Sequence, residues 1–127
     1  MQKTLPDTPA TQLKTWHELE SHQKKIAELS IAEHFKNEPD RMERYWLEWE
    51  DFIVDFSKNR IDKKGLELLL QLAEEAGLKA AVEAQFTGSK INATENRAVL
   101  HTALRRLDNQ PLLVDGKDVL PEIRGTQ

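Results

Sequence analysis

Gly88-Ser89-Lys90-Ile91-Asn92-Ala93-Thr94-Glu95-Asn96-Arg97-Ala98-Val99-Leu100-His101-Thr102-Ala103-Leu104-Arg105 is the stretch of this chain with the most to read. Thr87-Gly88-Ser89 interrupts whatever precedes it, because clustered Gly, Ser and Thr favour turns. Thr94 offers an N-cap hydroxyl, and Ala98, Leu100, His101, Leu104 and Arg105 recur at helical spacing, which predicts a helix over about 95–106. On that helix Arg97, His101 and Arg105 fall at i, i+4 and i+8, on one face. With Lys90 they form a candidate positive stripe suited to a phosphate or carboxylate. The plainer reading of the same stripe is a helix face packed against an acidic neighbour.

Downstream, Asp108-Asn109-Gln110-Pro111 reads as a turn. Leu112-Leu113-Val114 reads as a short extended run and Asp115-Gly116 as a second turn. Asp118 can cap a last helix at Val119, with Pro121 tolerated in the first turn. Upstream, Asp62 is a good N-cap for a helix over about 63–76. Leu66, Leu69, Leu70, Ala73 and Ala76 give it an apolar face, and Gly77 is a natural C′ residue. A weaker helix is expected from Leu78 to Phe86.

Before these helices the period changes from helical to two. Tyr45-Trp46-Leu47-Glu48-Trp49 and Phe52-Ile53-Val54-Asp55-Phe56 are aromatic and branched, and Glu50-Asp51 lies between them as a tight connection. They predict a two-stranded unit that needs cover, since a lone hairpin is marginal in water. The aromatic cluster Tyr45, Trp46, Trp49, Phe52 and Phe56 is read as packing rather than as a base-stacking platform, because acidic rather than basic residues interleave with it. Earlier still, Thr8 and Pro9 predict the start of a helix over about 9–29. The spacing of Leu13, Trp16, Leu19, Ile26 and Leu29 supports it. Ser30-Ile31-Ala32-Glu33 matches a capping box that restarts a helix through Phe35. Asn37-Glu38-Pro39-Asp40 breaks it, and the first eight residues are expected to fray.

The chain has 127 residues, with 18 basic and 22 acidic side chains, a net charge of -4 and no cysteine. That is a single-domain length. The acidic balance argues against a general nucleic-acid binder. The missing cysteines exclude disulfides and thiolate metal sites. Mean hydropathy is -0.64, and runs such as Leu68-Leu69-Leu70 are far too short for a membrane span. The start carries Lys3 but no apolar stretch of the kind a signal peptide needs. These features predict a soluble, cytoplasmic chain with neither membrane nor nucleic-acid partners. His17 and His22 are five apart and do not form the i, i+4 pair of a helical metal site. No GxGxxG, GxxxxGK or GxSxG is present, so no phosphate loop or serine elbow is expected. Lys24-Lys25 and Lys63-Lys64 read as solvated helix surface.

The run from Gly88 to Arg105 closely resembles an N-terminal segment of glucose-6-phosphate isomerase (phosphoglucose isomerase). The resemblance continues through Pro111-Leu112-Leu113-Val114-Asp115-Gly116-Lys117-Asp118-Val119-Leu120-Pro121-Glu122. Upstream it takes in Asp55-Phe56-Ser57-Lys58-Asn59-Arg60, where Phe56 stands for the family's Tyr. The three blocks keep their order and spacing over about 52–122, while the first fifty residues carry no sharp motif.

The resemblance implies interconversion of glucose 6-phosphate and fructose 6-phosphate, with proton transfer between C1 and C2 through a cis-enediol. A carboxylate acts as base, and no metal or other cofactor is implied. It also implies a sugar phosphate substrate and a homodimer. The family's catalytic and phosphate-gripping residues lie downstream of the matched region, so no residue here inherits a catalytic role. Within the family the matched block reads as scaffold, which leaves Lys90, Arg97, His101 and Arg105 only as an anion-facing stripe. The fold class expected is mostly α with a small β element, the N-terminal helical part of the family's α/β/α-sandwich sugar-isomerase (SIS-like) fold. The whole of 1–127 is then an N-terminal segment and an incomplete domain, inactive alone and exposing faces that meet the sandwich. The abrupt end beyond Pro121 reads as a cut, while Met1 reads as a true start. The alternative is a non-catalytic helical module that pairs with a longer isomerase chain.

Overall fold

The structure is a computed structural model that describes residues 8–125. The expected fraying of the start and the final Thr126-Gln127 lie outside the described residues. The chain divides into two compact units, one of Pro9–Leu72 and one from Ala73 onward. About half of the described residues are helical, and two small antiparallel sheets accompany them.

In the first unit, the single helix expected over 9–29 is two pieces. A 3-10 turn covers Ala10–Gln12 and α1 runs Lys14–Ile26. Leu13 between them is extended, with φ -76° and ψ 146°, and no hydroxyl caps the first turn. A helix cannot pass through a residue in that region. The predicted capping box is present. Ser30 Oγ accepts from Glu33 N–H at 3.2 Å, and Glu33 Oε2 accepts from Ser30 N–H at 2.8 Å. It starts α2, Ile31–Asn37, two residues longer than expected. After Pro39 a short α3, Arg41–Arg44, leads into β1, Trp46–Trp49, and β2, Phe52–Asp55. The strands pair antiparallel with Trp46 opposite Asp55 and Trp49 opposite Phe52, and Glu50 takes a left-handed φ of 50° at the turn. The two-stranded unit is as the period-two pattern predicts.

The fate of its aromatics is not. Trp49 is 68% exposed, Phe52 63% and Trp46 37%, so the expectation that the cluster packs as core is corrected for all three. A two-stranded ribbon offers no second layer, and the Trp49 and Phe52 rings stack on each other instead, with centroids 5.7 Å apart. Only Tyr45 is fully buried, edge-on to Phe56 at 5.4 Å.

The interior of this unit holds Tyr45 and Leu68 beside the buried polar side chains of Thr15, His34, Arg41 and Ser57, and Arg41 is its hub. Its guanidinium is fully buried and donates to the carbonyls of Ser57, Asn59 and Ile61 and to Glu38 Oε2. The Tyr45 and Phe35 rings lie 4.5 and 5.6 Å from it, within cation–π range. One side chain thus ties α3 to the loop that leaves β2. That loop delivers α4, Lys63–Glu75, whose start is capped by Asp62, Oδ1 accepting from Gly65 N–H at 2.7 Å. The same Oδ1 lies 2.7 Å from His22 Nε2, which anchors α1 to the start of α4. Arg60 donates to the carbonyls of Ala27 and Leu29 and closes the end of α1.

Burial by itself would raise the Asp62 carboxyl, but the Gly65 N–H and the His22 contact outweigh it and hold it below the usual carboxylate range. A depressed carboxyl stabilises the fold above its unfolded pKa of about 3.9, and that contribution is lost as pH falls through the lower folded value. Asp62→Asn keeps a capping oxygen but cannot titrate. Chemical denaturation of both proteins between neutral pH and pH about 2 should show a smaller acid loss of stability in the variant. Identical acid slopes would contradict the assignment.

In the second unit, Gly77 in a left-handed conformation, φ 72°, ends the preceding helix and starts α5, Leu78–Phe86. Both helices match their predicted bounds to within a residue. β3, Leu113–Val114, and β4, Lys117–Asp118, form a second hairpin around Asp115-Gly116. α6 runs Leu120–Arg124 with Pro121 in its first turn. Asp118 Oδ1 accepts from Leu120 N–H, as its capping role predicts, and also from Leu112 N–H. The small core here is Ala103, Leu112 and Leu120, with Leu100, Val119 and Ile123 packed against it.

The helix expected over 95–106 is absent. Asn92 and Arg97 exchange backbone hydrogen bonds at 3.1 and 3.2 Å across a tight turn. Asn92 Oδ1 accepts from Glu95 N–H, its Nδ2 donates to Glu95 Oε2, and Asn96 adopts a left-handed φ of 50°. An Asn side chain that captures a nearby backbone donor competes with helix formation, and it wins here. Only a 3-10 turn at Ala103–Arg105 remains helical.

Candidate functional site

Without that helix, Arg97, His101 and Arg105 no longer share a helical face. Lys90 Nζ pairs with Asp115 at 2.7 Å, across to the β3–β4 turn. Arg97 pairs with Glu95 Oε2 at 2.8 Å beside its own turn. Arg105 lies at the end of the 3-10 turn and is exposed. His101 is exposed as well.

The structure does bring two of the four together. Arg97 and His101 line a cleft of about 550 Å³, along with Asn92 and Glu122. Its floor is apolar, formed by Leu100, Val119 and Ile123, which also pack on the core. Lys90 and Arg105 are not among the residues that line it. The cleft thus pairs an apolar floor with a guanidinium and an imidazole at its edge, a combination found in many small-molecule sites. Glu122 sits 3.6 Å from Lys117, and both side chains are exposed, so the Glu122 carboxylate meets solvent rather than an enclosed site.

A second cavity, of about 460 Å³, lies in the first unit beside the start of α4 and is lined by His34, Glu38, Asp62 and Lys63 among others. Here Glu38 is a hub that the sequence reading treated only as part of a helix break. Its carboxylate accepts from Arg41, from Arg44 at 3.0 Å, from Tyr45 Oη and from Lys63 N–H at 3.0 Å. The one available signal was Arg41 and Arg44 at i+3 and i+6, which no motif singles out. With every oxygen direction taken by donors of this chain, Glu38 reads as structural. His34 is buried, and its Nε2 has no hydrogen-bond partner.

Among the described residues, no three His, Asp or Glu side chains gather as metal ligands, and no helix is long and apolar enough to cross a membrane.

The sequence compares closely with known proteins. A family model described as "Phosphoglucose isomerase" matches residues 55–127. The chain is 46% identical over 114 residues to the glucose-6-phosphate isomerase of Methylococcus capsulatus, a match that takes in 90% of this chain and 21% of that protein. The same identity over the same length holds for the glucose-6-phosphate isomerase of Desulforapulum autotrophicum, with 90% and 20% covered. The chain therefore spans about a fifth of the length of the curated relatives it matches.

Proposed function

This chain belongs to the phosphoglucose isomerase family, and on that premise we propose that it is the N-terminal segment of a glucose-6-phosphate isomerase. The observation that carries the reading is 46% identity across 90% of the chain, set against a fifth of the relatives' length. The complete enzyme, in this reading, acts in the cytoplasm as a homodimer on glucose 6-phosphate and fructose 6-phosphate. This segment supplies helices that pack around the family's α/β/α sandwich. Residues 1–127 form an incomplete domain, and they do not isomerise sugar phosphates alone.

Two features support the incomplete domain. Among the described residues only Tyr45, Leu68, Ala103, Leu112 and Leu120 are buried apolar side chains, a small core for a chain of this length. Leu69 and Leu70 of α4, and Leu78, Val82 and Phe86 at i, i+4 and i+8 of α5, remain exposed. Apolar helix faces of that kind mark contact surfaces.

Two assays test the reading. Purified 127-residue chain, given fructose 6-phosphate and a coupling dehydrogenase, should show no turnover above background; turnover would overturn the incomplete domain. A hybrid enzyme, in which this chain replaces the matching segment of the Methylococcus capsulatus isomerase, should interconvert the two sugar phosphates. A folded but inactive hybrid would overturn the assignment to an isomerase.

A further inference from the structure

The β1–β2 hairpin has one face made wholly of apolar side chains, and it stays exposed among the described residues. In an antiparallel pair, residues directly opposite project to the same side. The register sets Leu47 opposite Val54 and Trp49 opposite Phe52, so these four share a face. They are 59%, 52%, 68% and 63% exposed. The other face alternates in chemistry: Trp46 and Ile53 stand beside Glu48 and Asp55. The turn adds Glu50 and Asp51. Residues 46–57 thus carry four carboxylates and no basic side chain, and no ion pair engages any of the four among the described residues.

We propose that the Leu47–Trp49–Phe52–Val54 face is a docking surface for the remainder of the isomerase chain, which meets it with an apolar surface edged by Lys or Arg. The proposal rests on the reading that this segment belongs to a longer isomerase. Three observations argue for this occupant. A ribbon of two strands is marginal in water unless something covers it. About four-fifths of the relatives' length lies outside the matched segment, which leaves ample surface to provide the cover. The charge pattern disfavours a second copy of the same hairpin. Glu48 and Asp55 point away from this face, but two such hairpins stacked on it, about 10 Å apart, would add Glu50 and Asp51 of each turn to the rim of the seam with no basic side chain from either ribbon. A partner edged by Lys or Arg turns those charges from a penalty into orientation and specificity. Two side chains of the face already pack on each other, the Trp49 and Phe52 rings stacking at an interplanar angle of 20°. Pre-organised aromatic anchors lose little freedom on docking.

The test is covalent footprinting, read peptide by peptide by mass spectrometry. It compares the isolated 127-residue chain with the Methylococcus capsulatus hybrid. Trp49 and Phe52 are expected to label strongly in the isolated chain, independent of its concentration, and to lose that labelling in the hybrid. Labelling that persists in a folded hybrid overturns the proposal, whether or not the hybrid is active. Protection confined to an inactive hybrid keeps this docking surface and sinks the isomerase assignment instead. In the isolated chain, protection that grows with concentration alongside a dimer in analytical ultracentrifugation also overturns the proposal, in favour of a second copy. This last arm needs no hybrid and can overturn the proposal even if the hybrid does not fold.

Discussion

Arg41→Met is expected to cost the Pro9–Leu72 unit about 3–5 kcal/mol, the range for breaking a buried ion pair by removing one partner. The substitution deletes the donors to the carbonyls of Ser57, Asn59 and Ile61 and leaves the Glu38 carboxylate without its closest cation. Those carbonyls sit in the loop between β2 and α4, which loses its anchor to α3. Met fills much of the volume between the Phe35 and Tyr45 rings, so the loss reports hydrogen bonding and charge more than an empty cavity. Arg41→Lys should recover only part of it. An ammonium is a point donor and cannot reproduce a planar fork that reaches four acceptors in different directions. Urea titrations followed by circular dichroism give the numbers. A double-mutant cycle with Glu38→Gln isolates the pair, and a coupling energy well above zero is expected. A cost for Arg41→Met below about 1 kcal/mol would place it with ordinary surface pairs and refute the buried staple.

Gly88→Val is expected to be comparably harmful to the unit from Ala73 onward. Gly88 has φ +77°, and a Cβ there would meet the Leu113 carbonyl oxygen at 3.0 Å and the Leu112 and Val114 side chains at 3.3 Å. Two penalties combine. The left-handed backbone costs an L-residue about 1–2 kcal/mol, and overpacking against β3 adds about 1–3 kcal/mol. The backbone oxygen cannot move aside without disturbing the β3–β4 pairing. Gly116 provides the control. It has φ +79°, but nothing lies within 4 Å of a Cβ placed there. Gly116→Ala should therefore carry the backbone term alone, and Gly88→Ala should cost more than Gly116→Ala in the same denaturation assay. Equal losses at the two glycines would show that the contact with β3 contributes nothing.

Elements with local causes were legible in the sequence. The Ser30–Glu33 capping box, the Asp62 cap, Gly77 beyond α4 and the Asp118 cap each act through a hydrogen bond or a backbone angle within a few residues, and each is where the pattern put it. The hairpin followed from its period of two. Reading failed where two local preferences competed. The spacing of Ala98, His101 and Arg105 favoured a helix, but the Asn92 side chain had already committed Glu95 to a turn. The stripe of Lys90, Arg97, His101 and Arg105 was built on that helix, so only Arg97 and His101 meet at one cleft. Glu38 and Arg41 were missed for a different reason. Their partners lie up to 25 residues away, at Lys63, and no short-range pattern records such contacts. The family itself was readable because a run of specific residue identities carries information that periodicity does not.

The hairpin has a further consequence, for the newly made chain. Six-residue segments that are apolar, β-prone and low in charge are the ones that stack into cross-β aggregates. Trp46–Asp55 meets the first two conditions, and Glu48, Glu50, Asp51 and Asp55 defeat the third. Hydrogen bonds from Ser57 hold the Asp55 carboxyl below its ordinary range, so at least one of these charges persists into mild acid. The four carboxylates thus act as gatekeepers. They keep an exposed apolar ribbon from recruiting copies of itself as the chain is made.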